Sequence, residues 1–191
     1  MAPVPKSVGE MGKSCRLRAQ CGFTLIDMLF VIALVGVLST MALPGILRAR
    51  GAAQASSALG TMRAVNSGQL SYAITCGLGF YAPDLPTLGV RPPNSSEPFL
   101  PDGLTSGATI FRHGYSFTVT ATPLAGAPAT CNGLGAGQSA PAYAMTADPI
   151  DTVATARYFG TNAEGLIYEH TATLNGIMPE SGVPAAGSPI K

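Results

Sequence analysis

Asp27 is the one charged side chain in residues 21–45, whose sequence is CGFTLIDMLFVIALVGVLSTMALPG. An ionised carboxylate in hydrocarbon is costly unless it finds a cation or hydrogen-bond donors, so such residues are rarely idle. The chemistry that this residue type favours here is ion pairing, because no other strongly polar side chain lies between 23 and 43. Asp27 is therefore the first candidate for a functional group.

The rest of the chain has few residues in patterns that carry out catalysis. It contains no Gly-x-Ser-x-Gly elbow, no His-Glu-x-x-His helix and no paired acid and base. His113 and His170 lack metal-type spacing, and GLGAGQS at 133–139 lacks the Lys-Ser/Thr of a phosphate-binding loop, which favours a flexible turn. Four acids could in principle supply oxygens to calcium: Asp148, Asp151, Glu164 and Glu169. The dense alternating ligand pattern of a dedicated site is missing, so the sequence predicts solvated turn acids, no metal, no cofactor and no enzyme.

The apolar run at 23–43 is long enough to cross a membrane. As a helix its 21 residues would span about 31 Å, the thickness of a bilayer core. Residues 1–22 form a leader with four basic residues and one acid, and this charge predicts that the N-terminus lies inside and the C-terminus outside. A secretory signal peptide is the alternative, since STMALPG offers a small-residue cleavage site. Asp27 argues against it, because simple secretion needs no carboxylate there.

Residues 44–75 are predicted to continue the helix beyond the membrane in amphipathic form. Pro44 has no N–H to donate to the Thr40 carbonyl and is followed by Gly45, so we expect a kink at this point. Further along, one stripe at helical spacing would face the C-terminal domain: Leu59, Met62, Val65, Gln69 and Tyr72.

These N-terminal residues carry a resemblance to a known family. Gly22 followed by FTLIDMLFVIALVGVLSTMALP resembles the signal of type IV pilins and type II secretion pseudopilins. The resemblance implies that a prepilin peptidase cuts after Gly22 and that the new N-terminal Phe23 is methylated. Pro44 and Gly36 stand where the family commonly has Pro and Gly, and residues 49–73 are similar to the second half of the pilin helix.

Two features depart from the family pattern. The family's acid is usually Glu, and Asp27 holds the same charge on a side chain one methylene shorter. The leader is long, and a start at Met11 instead of Met1 would give it an ordinary length. The resemblance implies that the amine of Phe23 pairs with Asp27 of an adjacent subunit, which would add attraction and set the axial register. The alternative is that Asp27 only snorkels towards the headgroups.

Residues 76–191 are predicted to form an extracytoplasmic globular domain. Cys15 and Cys21 would leave with the leader, so the mature chain would keep Cys76 and Cys131. In an oxidising compartment two such thiols most simply form a disulfide, and two cysteines alone are too few for a structural zinc site. Closing a loop of this length would stabilise the fold by about 4 kcal/mol.

The domain is predicted to be an α+β arrangement. Residues 76–110 are rich in Pro and Gly and are predicted to be a connecting loop. Strand patterns at 114–122 and 142–148 and a hairpin at 156–170 predict a small antiparallel sheet of about four strands, packed on the second half of the helix. The C-terminal tail is predicted to be flexible surface chain. The resemblance implies the same architecture, the pilin fold.

The resulting hypothesis is a structural subunit. The resemblance implies an inner-membrane precursor that polymerises into a homo-oligomeric type IV pilus outside the cell, with an inner-membrane platform and a separate assembly ATPase as partners. A major or minor type II secretion pseudopilin, in a periplasmic filament, is the alternative. A monomeric membrane-anchored binding protein is the rival from another class. Beyond Cys76 the chain has four basic and eight acidic residues, which argues against nucleic acid as a partner.

Overall fold

A long N-terminal helix, α1 (Leu25–Thr75), is followed by short helices and an antiparallel sheet. The computed structural model describes residues 23–151 and 157–190, so the predicted leader and its cleavage residue Gly22 lie outside the described residues. The chain divides into two compact units, Met1–Ala42 and Leu43–Lys191. Helix α1 contributes residues to both.

In the first unit, the described residues are the start of α1, and all of their side chains are exposed. A window of α1 has a mean hydropathy of 2.3 with none of its residues buried, so the helix is long and apolar enough to cross a membrane. Its hydroxyl groups are satisfied internally: Ser39 Oγ donates to the Val35 carbonyl and Thr40 Oγ1 to the Val37 carbonyl, both at 2.8 Å. These two polar side chains therefore need no water.

Helix α1 continues through Pro44 and Gly45 at the start of the second unit, so its backbone does not unwind there. A Cβ on Gly45 would meet no atom within 4 Å, which means that packing does not require glycine at this position. The pair weakens the helix locally, because Pro removes one backbone hydrogen bond and Gly adds backbone freedom. The predicted kink stays a prediction.

The buried face of α1 in the second unit begins at Ala55. Its members recur at spacings of three, four or seven residues and enter the main hydrophobic core: Ala55, Ala58, Met62, Val65 and Tyr72. Four of the five residues of the predicted stripe are fully buried, and the fifth, Leu59, is half-buried against the core. The predicted helix face is therefore confirmed.

Two amide side chains connect α1 to the rest of this unit. The buried Gln69 donates from Nε2 to the Ala82 carbonyl (3.0 Å) and accepts from the Ala82 amide (2.9 Å), as a neighbouring strand would. Asn66 accepts from the Tyr143 hydroxyl (2.9 Å) and donates to Thr161 Oγ1 (3.0 Å). Burial raises the pKa of Tyr143, which keeps its hydroxyl a donor. These bonds fix the helix against its neighbours, because buried polar groups are costly when unpaired.

Within residues 23–151 and 157–190 the sheet has six strands, which pair antiparallel in chain order. They are β1 (Thr109–Arg112), β2 (Tyr115–Thr120), β3 (Ala144–Pro149), β4 (Tyr158–Asn162), β5 (Ile167–His170) and β6 (Ser188–Pro189). Alternate residues of β2 are buried, and Phe117 joins Met62 of α1 and Phe159 of β4 in one core cluster. The α+β class, a long helix packed against an antiparallel sheet, is confirmed.

The predicted count of about four strands is corrected to six. Strands β2 to β5 lie in the predicted segments, whereas β1 and β6 are additional. β1 is joined to β2 by a two-residue turn in which His113 (φ 51°) and Gly114 (φ 80°) are both left-handed, the conformation that suits a tight hairpin. β6 has only two residues, and its Pro189 pairs with Tyr168 of β5. Both strands depend on a neighbouring strand for their hydrogen bonds, so their own sequence patterns are weak.

The segment predicted as a loop contains a short helix, α2 (Leu85–Gly89), and a 3₁₀ turn at Asp102–Leu104. The Asp84 carboxylate caps α2 by accepting from the Thr87 amide at 2.9 Å. Leu85 and Leu88 are fully buried in the main core. The loop prediction is thus corrected locally, because burial of two leucines offsets the poor helix propensity of this Pro-containing segment.

The C-terminal tail, residues 175–191, also differs from the predicted surface chain. Its Met178 is buried in a second cluster with Leu174, Ala144 and Tyr168. The tail then returns to the sheet as β6. Apolar contacts therefore hold the tail against the sheet, although its Gly and Pro content indicated no regular structure.

Cys76 and Cys131, the pair named from the sequence, are joined as a disulfide in the structure. Their sulfurs are 1.99 Å apart and their Cα atoms 4.9 Å apart. The Cys131 amide also donates to the Cys76 carbonyl at 3.3 Å. The bond ties the residue that follows α1 to the long connection between β2 and β3.

Candidate processing and assembly site

The N-terminus of α1 is closed by a reciprocal pair of side chains, Thr24 and Asp27. Asp27 Oδ2 accepts from the Thr24 amide at 3.2 Å and from the Thr24 hydroxyl at 2.5 Å. The Asp27 amide in turn points at Thr24 Oγ1 at 3.3 Å and at the Thr24 carbonyl at 3.1 Å. This arrangement is a capping box with Asp in place of Glu, and it satisfies backbone donors that no helical carbonyl can reach.

Sequence reasoning missed this role of Asp27, although a local signal was present. Thr24 and Asp27 stand three residues apart just before an apolar run, which is the spacing of a capping box. Thr24 therefore joins Asp27 in the candidate site, because its amide and hydroxyl orient the Asp27 carboxylate.

The cap leaves part of the Asp27 carboxylate available. Both bonds from Thr24 go to Oδ2, and within residues 23–151 and 157–190 no donor is bonded to Oδ1. No basic group in that part of the chain lies within salt-bridge distance of Asp27. A carboxylate has about four lone-pair sites, so one oxygen can hold the cap while the other accepts a further donor. Phe23 and Asp27 are both exposed, so both are accessible to another molecule.

Comparison with known families identifies the N-terminal segment. Residues 17–43 match the prokaryotic N-terminal methylation motif. This motif is the signature of type IV pilins and pseudopilins, and the resemblance stated from the sequence is thereby confirmed. The match covers the predicted cleavage point, Phe23, Thr24 and Asp27. Searches of curated proteins and of solved structures gave no significant match.

The motif supports the pilin or pseudopilin class and a general route of processing. The family in which it occurs consists of structural proteins of the pilin type. The motif implies processing by a prepilin peptidase and assembly in a pilus-type machinery. The exposed apolar helix fits a membrane-anchored precursor.

The candidate calcium acids do not come together in the structure. Asp148 Oδ2 accepts from the Thr173 hydroxyl (2.8 Å), and Glu164 Oε1 accepts from the Gly182 amide (2.9 Å). Glu169 forms a two-point ion pair with Arg157 on the surface, and the hydrogen bond from Arg157 lowers the pKa of Glu169. Within the described ranges no three His, Cys, Asp or Glu side chains form a group that could hold a metal ion.

The two histidines are also apart and locally engaged. His113 Nε2 accepts from Arg112 Nε at 3.2 Å in the β1–β2 turn. His170 Nδ1 accepts from the Ala172 amide at 3.1 Å at the end of β5. Each therefore takes part in a turn of its own. The candidate residues that the structure does bring together are Thr24 with Asp27 and, in the second unit, Cys76 with Cys131.

Proposed function

We propose that this chain is a prepilin: it is cleaved after Gly22, methylated on the amine of Phe23 and polymerised through α1 into a type IV pilus filament. The observation that carries the proposal is the methylation motif at 17–43, coincident with a helix start at which Asp27 is held at the surface. Membrane insertion and polymerisation are proposed because α1 must be stable both in lipid and among neighbouring helices of a filament.

The apolar helix suits both lipid and a packed filament. Large apolar side chains are exposed on every side of α1 from Leu25 to Leu47, which lipid satisfies before assembly and neighbouring helices satisfy afterwards. Because a helix with one buried stripe would have polar residues on its other faces, the all-round apolar surface supports a helix that is surrounded in both states.

The pairing of Asp27 explains how one subunit would select its position beside the next. Cleavage would leave a positive amine on Phe23. Since both bonds from Thr24 go to Oδ2, the other oxygen of Asp27 could accept from such an amine on an adjacent subunit. Leaving either charge unpaired at hydrocarbon depth is costly, so the pair favours one axial register. A contact between different surfaces of successive copies generates a helical filament when its rotation does not close into a ring.

Other components of the machine would act on the chain from outside. A prepilin peptidase and methyltransferase would process it, and an inner-membrane platform with an assembly ATPase would extract it from the membrane. The precursor would be a single-pass protein with its N-terminus inside, and the filament would be extracellular. No residue pattern in the chain binds nucleotide, so the energy for extraction is assigned to the separate ATPase.

Intact mass and N-terminal sequencing of the protein from its native cell test the proposal. The expected chain begins at Phe23 and carries one methyl group on its amine. A chain that begins after Ala42 would indicate a secretory signal, and one that retains Met1 or Met11 would indicate a simple membrane anchor with a binding domain. Either result would overturn the assembly proposal.

The same motif serves a pilus and a secretion pseudopilus, and the domain favours the pilus. Asp148, Glu164 and Glu169 bond to other protein groups and are not grouped as a calcium site would require. Surface fibres sheared from the cell and composed mainly of this chain would support the pilus. Loss of enzyme secretion on deletion, with no surface fibre, would assign the chain to the pseudopilus.

A further inference from the structure

A cleft of the second unit lies between α1 and the turn that joins β4 to β5. Its volume is about 370 Å³, within the range of about 300–1,000 Å³ that is usual for ligand sites. All of its lining residues belong to Leu43–Lys191, so the cleft is formed within one unit. Its walls include Asn66 and Leu70 of α1, the aromatic residues Tyr81 and Tyr143, and Glu164 and Gly165 of the turn.

Hydrogen bonds hold the two walls of the cleft in place. Asn66 of α1 donates from Nδ2 to the Gly165 carbonyl at 3.3 Å and accepts from the buried Tyr143 hydroxyl at 2.9 Å. The ring of Tyr143 packs on that of Tyr81, with 5.1 Å between the ring centroids. The cleft is therefore formed before any ligand binds, which lowers the entropic cost of binding.

The carboxylate of Glu164 is fixed in the wall of the cleft with one oxygen free. Its Oε1 accepts from the Gly182 amide at 2.9 Å, while no donor in the described part of the chain is bonded to Oε2 and Glu164 forms no ion pair there. A second acid, Glu180, is adjacent, because its carbonyl accepts from the Ala163 amide at 3.2 Å; its carboxylate accepts from the Thr122 hydroxyl. Among the described residues no basic side chain lines the cleft, so its charge is negative.

These groups together suit the side chain of an arginine. A free carboxylate oxygen attracts positive charge, and tyrosine rings attract a cation to their faces. Leu70 is 54% exposed on the α1 wall, where it offers apolar contact to the methylene stem of a long side chain. Arginine combines such a stem with a planar charged head that pairs with carboxylates and stacks on aromatic rings. The cleft therefore fits an arginine better than a metal ion or an anion.

Arg63, on the outer face of α1, is accessible to a second molecule. It is exposed and forms no ion pair within the described ranges, and the chain has no acid between residues 28 and 83. Gly60 and Ser67, one turn before and one turn after Arg63, are small and exposed, so another surface can approach the helix closely here. Side chains of a helix lean towards its N-terminus, which directs Arg63 towards Gly60 and away from Leu70 in the cleft of its own chain.

We propose that the cleft binds Arg63 of a second copy of this chain, with the guanidinium on Glu164 and the stem against Leu70 and the tyrosines. The contact joins two different surfaces, the outer face of α1 on one copy and the cleft on the next, so it can be repeated from copy to copy. It rests on the polymerisation in the proposed function and adds a contact between the second units of neighbouring subunits. The pairing of Phe23 with Asp27 involves the first unit, so the two contacts are tested separately.

Cross-linking between two differently tagged chains tests the contact. One chain carries Arg63→Cys and the other Glu164→Cys, and both are expressed in the native cell, so a link between the new cysteines forms only between copies. The reagent is a short bismaleimide, because an arginine–glutamate pair holds its Cβ atoms farther apart than a disulfide allows. We expect a cross-linked heterodimer in the filament fraction. The matched control uses Arg91→Cys, which replaces another exposed arginine of the same unit, in place of Arg63→Cys and should give no heterodimer.

The yield of sheared filaments supplies a second measurement, normalised to the amount of mature subunit. Glu164→Gln removes the charge and keeps an oxygen that can accept from the Gly182 amide, so the turn should persist. We expect Glu164→Gln and Arg63→Gln each to lower the yield about tenfold. The double variant should be no worse than either single variant, because both changes remove the same pair. Glu97→Gln, which neutralises an exposed acid elsewhere in the unit, should leave the yield unchanged.

Absence of the heterodimer with Arg63→Cys, or an equal amount of heterodimer with the Arg91→Cys control, would overturn the inference. Natural yield with Glu164→Gln, or additive losses in the double variant, would overturn it as well. Filament formation by the natural chain separates these results from the proposed function. If the natural chain forms filaments and the cross-link is absent, only the cleft contact is refuted, whereas a natural chain that forms no filament refutes polymerisation and the contact that depends on it.

Discussion

Replacing Asp27 by Asn removes the charge of the candidate assembly residue and retains its shape. In the natural chain Oδ2 accepts from the amide and the hydroxyl of Thr24. An asparagine oxygen can accept the same two bonds, so the start of α1 should persist. The variant lacks only the negative charge that would pair with the Phe23 amine of a neighbour. It therefore separates capping from pairing, which Asp27→Ala removes together.

The two contributions differ in size. Loss of a helix cap costs about 1 kcal/mol, which corresponds to about fivefold in an equilibrium constant. An uncompensated charge in a membrane helix costs about 2.5–3.5 kcal/mol on insertion scales, which corresponds to roughly a hundredfold. We therefore expect Asp27→Asn to lower filament yield roughly a hundredfold, Asp27→Ala about fivefold further because it also removes the cap, and Thr24→Val about fivefold. Asp27→Glu should assemble, because it restores the charge and the capping acceptor.

The assay is the yield of sheared filaments from cells that express each variant in place of the natural chain. The yield is normalised to the amount of mature subunit, and intact mass confirms cleavage and methylation so that a processing defect is not counted as an assembly defect. Electron microscopy of the filaments supplies the axial spacing of the subunits as a second readout.

Normal yield and normal subunit spacing with Asp27→Asn would refute the pairing of charges. A different result would also be informative about Thr24. If Thr24→Val and Asp27→Ala were equally defective while Asp27→Asn assembled normally, the cap alone would account for the role of the acid, because Thr24→Val keeps the charge and Asp27→Asn keeps the cap.

Three further predictions concern the stability of the second unit. Replacing both Cys76 and Cys131 by Ser should lower the free energy of unfolding by about 4 kcal/mol, since the bond closes a separation of 55 residues. Thermal unfolding of the full chain in detergent measures this change. An unchanged unfolding midpoint would contradict the prediction. Gln69→Leu should lower the free energy of unfolding in urea by about 3 kcal/mol, because the amide and carbonyl of Ala82 lose their buried partner. A loss under about 1 kcal/mol would argue against this pairing. Glu169→Gln should lower the free energy of unfolding by under about 1 kcal/mol, because it removes an exposed ion pair. The hydrogen bond from Arg157 lowers the pKa of Glu169, so the natural chain should lose this stabilisation as pH falls below 4.5, the ordinary pKa of a glutamate. If the free energy of unfolding depended on pH in the same way in both proteins, the prediction would be wrong.

Much of the candidate site was predictable because its signals are local. Membrane insertion depends on the length and polarity of one continuous run, and processing depends on the residues beside the cut, so both are written within 17–43. The capping of Asp27 by Thr24 was equally local, yet it was recognised only when the distances were available. The charge partner of Asp27 belongs to another chain in the proposed filament and remains a prediction.

The amino-acid sequence by itself determined the apolar helix, the acid near its start, the cysteine pair and strands β2 to β5, because each has a strong length, charge or alternation pattern of its own. The tertiary structure alone decided β1, β6, α2 and the burial of Met178 in the tail, since these short segments gain hydrogen bonds and apolar contacts only from elements already in place. The same is true of the contact between the β1–β2 turn and α1. It brings Gly114 against Gln54, two residues far apart in sequence, and no local pattern predicts it.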